Sequence, residues 1–276
     1  MNKLAFGYNT NGFAHHDLLD VFEIVSRVGY QGVALTLDYN HCNPHLAGPR
    51  ELDLIKSRLA ALNLRVVVET GARFILDPWN KHEPGLVSVD NRKKRVLFTK
   101  KAIDIAAHLG AEGVVFASGR RTDSTSETAC WTYLRDAVVE ILDYADSKNI
   151  VASIEPEPGM FIDTLRAFDE LRSRLPRQAK LFLTLDIGHL YCSETVPAVD
   201  QIVKYREFIK NVHIEDIRGG IHEHLPFGDG EIDFHSILTC LEVIGYTGLV
   251  NVELSRNSHC AVEMAKKSFQ ILTTVI

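Results

Sequence analysis

The sequence predicts an α/β chain folded as one (β/α)8 barrel, and three observations carry that prediction. Apolar runs of strand length alternate with longer amphipathic stretches along the whole chain; there are eight such runs; and no Pro/Gly/Ser-rich linker or low-complexity segment separates them. The 276 residues (1–276) therefore read as a single domain. The strands are predicted at 3–9 (KLAFGYN), 32–37 (GVALTL), 64–70 (LRVVVET), 113–118 (GVVFAS), 151–157 (VASIEPE), 181–186 (LFLTLD), 211–216 (NVHIED) and 249–254 (LVNVEL). Between them lie helical patterns such as DLLDVFEIVSRVG and RVLFTKKAIDIAAHLG, and Gly29, Gly110 and Gly245 stand where helices must stop. An open doubly wound sheet is the competing architecture. It would carry a glycine-rich phosphate loop after its first strand, and YNTNGFAHHD is not one.

Composition narrows the function classes. The formal charge is −6, and the longest basic block, NRKKR at 91–95, reads as a solvated first turn of a helix. Nothing here indicates nucleic-acid binding. Five widely spaced cysteines without a C-x-x-C fit reduced thiols, so a cytoplasmic protein is expected. No membrane span and no signal peptide are expected, and homo-oligomerisation is left open.

The chemistry emerges from side-chain parity. Residues two apart on a strand share a face. Strand five then gives Ser153, Glu155 and Glu157, strand six Thr184 and Asp186, strand seven Asn211 and His213, and strand eight Asn251 and Glu253. A small polar residue is followed each time by a metal-ligand type near the strand's C-terminal end. The opposite parity, Ile154, Leu183, Leu185, Val212, Ile214, Val252 and Leu254, is apolar and faces the helices. A closed barrel has no edge strand on which to expose polar groups, so these converge at the C-terminal mouth. Three carboxylates and an imidazole in a low-dielectric cavity need protons or a cation. The expected cofactor is a divalent ion, Mn²⁺ first, with Zn²⁺, Mg²⁺ or Co²⁺ as alternatives. His189, three residues after Asp186, is placed on the following loop within reach of the ion or the substrate.

The motifs SIEPEPG, LTLDIGH, NVHIEDIRGGIHEHLPFGDGEIDF and GYTGLVNVEL, in this order, resemble the xylose isomerase-like superfamily of TIM barrels, in particular its sugar-phosphate isomerase/epimerase branch. The resemblance to its ketose 3-epimerases implies one metal held by Glu155, Asp186, His213 and Glu253, and substrate contacts from His189 and Arg218. Phe161 stands where those epimerases carry a further glutamate, and Arg218 lies one residue closer to the histidine. HEHLPFGDG is similar to a zinc-ligand turn of the superfamily's apurinic endonuclease, which brings His222 and His224 into the site. That endonuclease's two upstream histidines have no counterpart in ETGARF or FASGRR.

The implied activity is isomerisation or epimerisation of a sugar through a metal-stabilised enediolate. Glu155 and Glu253 are the expected catalytic acid–base pair, and Glu157 an expected substrate contact. Loop cations at the same mouth (Arg73, Lys81, His82, Arg120, Arg121, Arg218, Arg256) point to an anionic carbohydrate, and Trp79 is positioned to close over a sugar ring. An endonuclease-like zinc hydrolase and a non-catalytic metabolite-binding barrel are the alternatives.

Overall fold

The computed structural model describes residues 4–122 and 124–275, so Lys3 of the first predicted strand lies outside the described residues. Eight parallel strands close into a barrel: β1 (Ala5–Asn9), β2 (Gly32–Thr36), β3 (Arg65–Glu69), β4 (Val114–Phe116), β5 (Ala152–Ile154), β6 (Phe182–Asp186), β7 (Ile209–Ile214) and β10 (Leu249–Val252). The ring closes where β1 pairs with β10, Gly7 opposite Asn251. The helices are α1 (Leu18–Val28), α2 (Pro49–Ala61), α3 (Arg92–Leu109), α4 (Glu127–Ser147), α5 (Leu165–Arg174), α6 (Ile187–Ser193), α7 (Ala198–Tyr205), α8 (Phe234–Val243) and α9 (Ala261–Thr274). No helix of the described residues is long and apolar enough to cross a membrane. The glycines expected to end helices do so, with φ of +119° at Gly29, +71° at Gly110 and +72° at Gly245.

The remaining two strands form an antiparallel hairpin, β8 (Asp216–Arg218) and β9 (Ile221–Leu225), where the sequence pattern predicts only a loop. Its turn is Gly219–Gly220, both at positive φ, as a two-residue primed turn requires. Asp216 fixes the segment beyond the hairpin: its carboxylate accepts the N–H groups of Gly228 (2.9 Å), Gly230 (2.8 Å) and Ile232 (3.1 Å). A buried carboxylate satisfied by backbone donors on one loop folds that loop over the barrel end.

The barrel interior is layered. Ala5, Val67, Val115 and Leu249 form a small apolar cluster of their own inside the ring. Beyond it the inward residues turn polar and pair with one another. Ser153 Oγ and Thr184 Oγ1 are 2.7 Å apart, and Asn251 Nδ2 donates to Asn211 Oδ1 at 2.8 Å. The pairing offsets the cost of burying these groups and holds the strand ends in register. The faces between strands and helices carry the main apolar core, including Val68, Phe116, Ile154, Leu183, Ile214 and Val252.

Candidate metal centre

At the C-terminal ends of the last four barrel strands the ligand types converge. Glu155, Asp186, His213 and Glu253 offer atoms that all lie within 4.8 Å of one another. His213 is the hub: its Nδ1 is 2.9 Å from Glu155 Oε1, 2.9 Å from Glu253 Oε2 and 4.0 Å from Asp186 Oδ2. Its other nitrogen, Nε2, lies 2.9 Å from Glu69 Oε1 at the end of β3. Since the carboxylate can only accept, Nε2 carries the hydrogen in that contact. Among protein atoms alone Nδ1, 2.9 Å from two carboxylate oxygens, carries a hydrogen as well. A cation in the cluster would take the place of that hydrogen, with Glu69 keeping the one on Nε2, as in metal centres where an outer carboxylate sets the histidine tautomer.

Asp186 divides its two oxygens. Oδ1 accepts the His189 N–H at 2.8 Å and so caps α6, while Oδ2 is buried with no hydrogen-bond partner. An orphaned, buried carboxylate oxygen facing three other donors is what a cation site leaves when only the protein is considered. The donor set of three carboxylates and one imidazole suits a hard or borderline divalent ion, so the residues fit the expected group. Charges in the cluster are strongly coupled. Burial pushes the Glu155 carboxyl well above the usual range despite the neighbouring His213. Burial also acts upward on Glu253, but His213, His224 and the hydrogen bond from Asn11 Nδ2 (2.8 Å) outweigh it and hold Glu253 low.

A second group of ligand-type side chains adjoins the first. His189 lies on the first turn of α6, not on a loop as expected, because Asp186 caps a helix there. Its Nδ1 donates to the Pro156 carbonyl (3.0 Å), leaving Nε2 free to accept. That Nε2 is 3.0 Å from His222 Nε2, which is 2.7 Å from His224 Nε2. Three imidazole nitrogens thus converge, and at most one proton fits each gap. Burial, with His189 and His224 beside it, pushes His222 down to about 4. His224 holds a φ of +50°, an uncommon conformation for a side-chain-bearing residue, and its Nδ1 is buried without a partner. Beneath it lies Glu215, fully buried, both oxygens unpartnered, with Oε1 3.7 Å from His224 Nδ1. Gly188 makes room for it, since a Cβ there would stand 2.0 Å from Glu215 Oε1.

The cluster opens into a cavity of about 330 Å³ lined by Glu69, Glu155, Glu157, His189, His213, His222, His224 and Glu253 on one side, and by Lys81, Arg120 and Arg256 elsewhere on its wall. Glu157 is pushed up to about 7, first by burial and then by Glu253 and Asp186.

Three expected contacts are placed away from this cavity. Arg218, at the hairpin turn, is exposed and donates to the Asp229 carbonyl, because strand β8 carries it past the barrel mouth. Arg73 is paired with Asp38 (3.4 Å) and donates to the Asn11 carbonyl (3.3 Å), so its link to the site runs through Asn11. Trp79 is 89 % exposed, on a turn fixed by Asp77, rather than over the cavity. Three residues of the site, Glu69, Glu215 and Asn11, are not singled out by the sequence pattern.

A closed parallel barrel with its polar cluster at the C-terminal strand ends is the architecture of the TIM barrels. The family model described as xylose isomerase-like TIM barrel matches residues 22–274, and the chain belongs to that family. An uncharacterised protein of Methanocaldococcus jannaschii is 27 % identical over 229 residues, covering 78 % of this chain and 77 % of that one. An inosose dehydratase of Histophilus somni is 24 % identical over 252 residues, 82 % of each chain. Among solved structures, a 3-keto-D-glucoside 4-epimerase from E. coli superposes with a TM-score of 0.80 at 17 % identity, covering 99 % of this chain and 100 % of that one, a likeness of fold.

Proposed function

We propose that the protein is a divalent-metal-dependent enzyme that moves a proton beside the carbonyl of a small carbohydrate, as an isomerase or epimerase. The observation that carries this reading is the orphaned Asp186 Oδ2 within a convergent set of Glu155, His213 and Glu253. These four residues would hold the cation. A bound divalent ion supplies Lewis-acid polarisation of a carbonyl, which lowers the pKa of the neighbouring C–H.

The chain's own residues supply the rest. Strands β5 and β10 flank the β6–β7 pair in the ring, so Glu155 and Glu253 approach the cluster from two sides. One takes the proton and the other returns it, on the opposite face in an epimerase or at the neighbouring carbon in an isomerase. Asn11 orients Glu253 by donating to Oε1, and Glu69 orients His213. Glu157, with its carboxyl near 7, can hold or release a proton to a substrate hydroxyl at neutral pH. The histidine trio of His189, His222 and His224 borders the same space and would contact substrate oxygens or a further cation.

The match to an inosose dehydratase favours a second outcome from the same first step: after proton removal, a β-hydroxyl leaves instead of the proton returning. A phosphoester hydrolase with an endonuclease-like set of ions is less well supported, since the ends of β3 and β4 carry Glu69, Thr70, Ala117 and Ser118 where histidines would be needed.

The test is solvent exchange. Ketoses and keto-cyclitols incubated in D2O with the protein and Mn²⁺ are expected to gain deuterium at the carbon next to the carbonyl, and to do so in neither Glu155→Gln nor Glu253→Gln. Exchange with return of a sugar supports the isomerase or epimerase, and exchange with loss of water the dehydratase. Exchange that survives both substitutions contradicts the assignment.

A further inference from the structure

The lining of the cavity also carries groups of opposite character. Lys81, Arg120 and Arg256 all line it, and none has a carboxylate oxygen within ion-pair distance among the described residues. Neighbouring cations are already used: Arg73 pairs with Asp38, and Arg121 with Glu127 at 3.8 Å. Arg95 is buried and spends its guanidinium on the carbonyls of Pro84 (2.9 Å), His82 (2.8 Å) and Thr70 (3.2 Å).

The backbone that carries these three cations is firmly set. Arg95 and the 2.7 Å contact of His82 Nδ1 with the Gly71 carbonyl pin the loop after β3 on both sides of Lys81. That loop then crosses the loop after β4 at a glycine pair. A Cβ on Gly119 would stand 2.5 Å from Gly85 Cα, and Gly119 itself is at φ +83°. Leu86 N donates to Ser118 O at 2.9 Å, and Phe161 N to Gly119 O at 2.9 Å, which ties in the loop after β5 as well. Arg120 comes directly after this crossing. Arg256 is held from the other side, Nη2 donating to the His222 carbonyl at 3.0 Å. The three cations are exposed to solvent but unneutralised among the described residues, and facing one small cavity they repel one another, a cost that an anion between them relieves. Lys81 registers that repulsion: although the residue is exposed, partial burial of its ammonium and then Arg73, Arg120 and Arg256 push it below the usual range, against the pull of Glu157.

We propose that Lys81, Arg120 and Arg256 form an anion subsite, and that the substrate is a small carbohydrate carrying a phosphate or carboxylate group at the end remote from its carbonyl. The substrate class rests on the proton-transfer reading above; the subsite does not. With the keto end at the carboxylate–histidine cluster, the anionic end reaches the cationic wall of the same cavity. The cation triad then selects which sugars are held in the reactive orientation.

The test uses inorganic phosphate and malonate as probes, with thermal denaturation of the purified protein at matched ionic strength. Wild type is expected to be stabilised by one of them over chloride, phosphate marking a phosphorylated substrate and malonate a sugar acid. Lys81→Gln, Arg120→Gln and Arg256→Gln are each expected to weaken that binding about tenfold, the scale of one charge-assisted hydrogen bond. Arg121→Gln, which removes the same charge one residue away, is expected to leave it unchanged. Binding unchanged in the three variants, equal loss in Arg121→Gln, or no stabilisation of wild type would overturn the subsite. Solvent exchange reports separately: anion binding without exchange keeps the subsite and removes the proton-transfer reading, and exchange without anion binding does the reverse.

Discussion

The two walls of the cavity are made from different material. The ligand wall is built on strand ends: Glu155, Asp186, His213 and Glu253 stand at the ends of β5, β6, β7 and β10, and hydrogen-bonded strands fix their spacing. The cationic wall is built on loops, held by a glycine crossing and by backbone carbonyls gathered around Arg95. Each material suits its task. Donors to one ion must agree to fractions of an ångström, which strands provide, whereas a diffuse anionic group tolerates the looser placement of loops.

Two substitutions probe the walls separately. Glu69→Gln attacks the ligand wall from outside. It keeps the size of the side chain but removes the carboxylate that accepts from His213 Nε2. The expected result is a loss of about 10–100-fold in metal affinity, the usual scale for an outer carboxylate, with the fold intact by circular dichroism. An unchanged affinity would mean that β3 contributes nothing to the centre. Gly119→Ala attacks the loop wall. The new methyl meets Gly85, and a residue with a Cβ must hold φ +83°, so a destabilisation of about 1–3 kcal/mol is expected in urea denaturation. Metal content is expected to stay at the wild-type level, since no ligand moves. Loss of metal in this variant would show that the two walls are not independent.

Strands and loops also differ in how much of them is legible in the sequence. Strand-borne chemistry leaves a period-two signature, so the four candidate ligands stand out as a small polar residue followed by a ligand type on four neighbouring strands. Glu69 is harder to see because its strand, VVVE, has valine at the preceding inward position, yet the same parity rule points it inward. Glu215, two residues beyond His213, also sits on the ligand parity, where it looks like ordinary strand-end polarity. The hairpin of IRGGIHEHL is missed by the strand pattern, because its two strands are short and its only turn signal is the Gly-Gly pair, and it moves Arg218 to the turn, out of the cavity. Loop cations leave no such pattern. Arg73 and Arg120 look alike in sequence, and only the folded neighbourhood gives Arg73 an aspartate, Asp38, and Arg120 none among the described residues. Trp79 likewise faces solvent because of a local turn around Asp77 that composition does not reveal.

Whether the strand-end cluster holds a metal is decided by elemental analysis of the purified protein beside Asp186→Ala, each before and after incubation with Mn²⁺ and removal of excess ion. The wild-type chain is expected to hold a divalent ion tightly and the variant to lose it, because Oδ2 of Asp186 has no other partner. Equal metal content in the two proteins, or none in either after loading, would contradict the assignment of a metal centre.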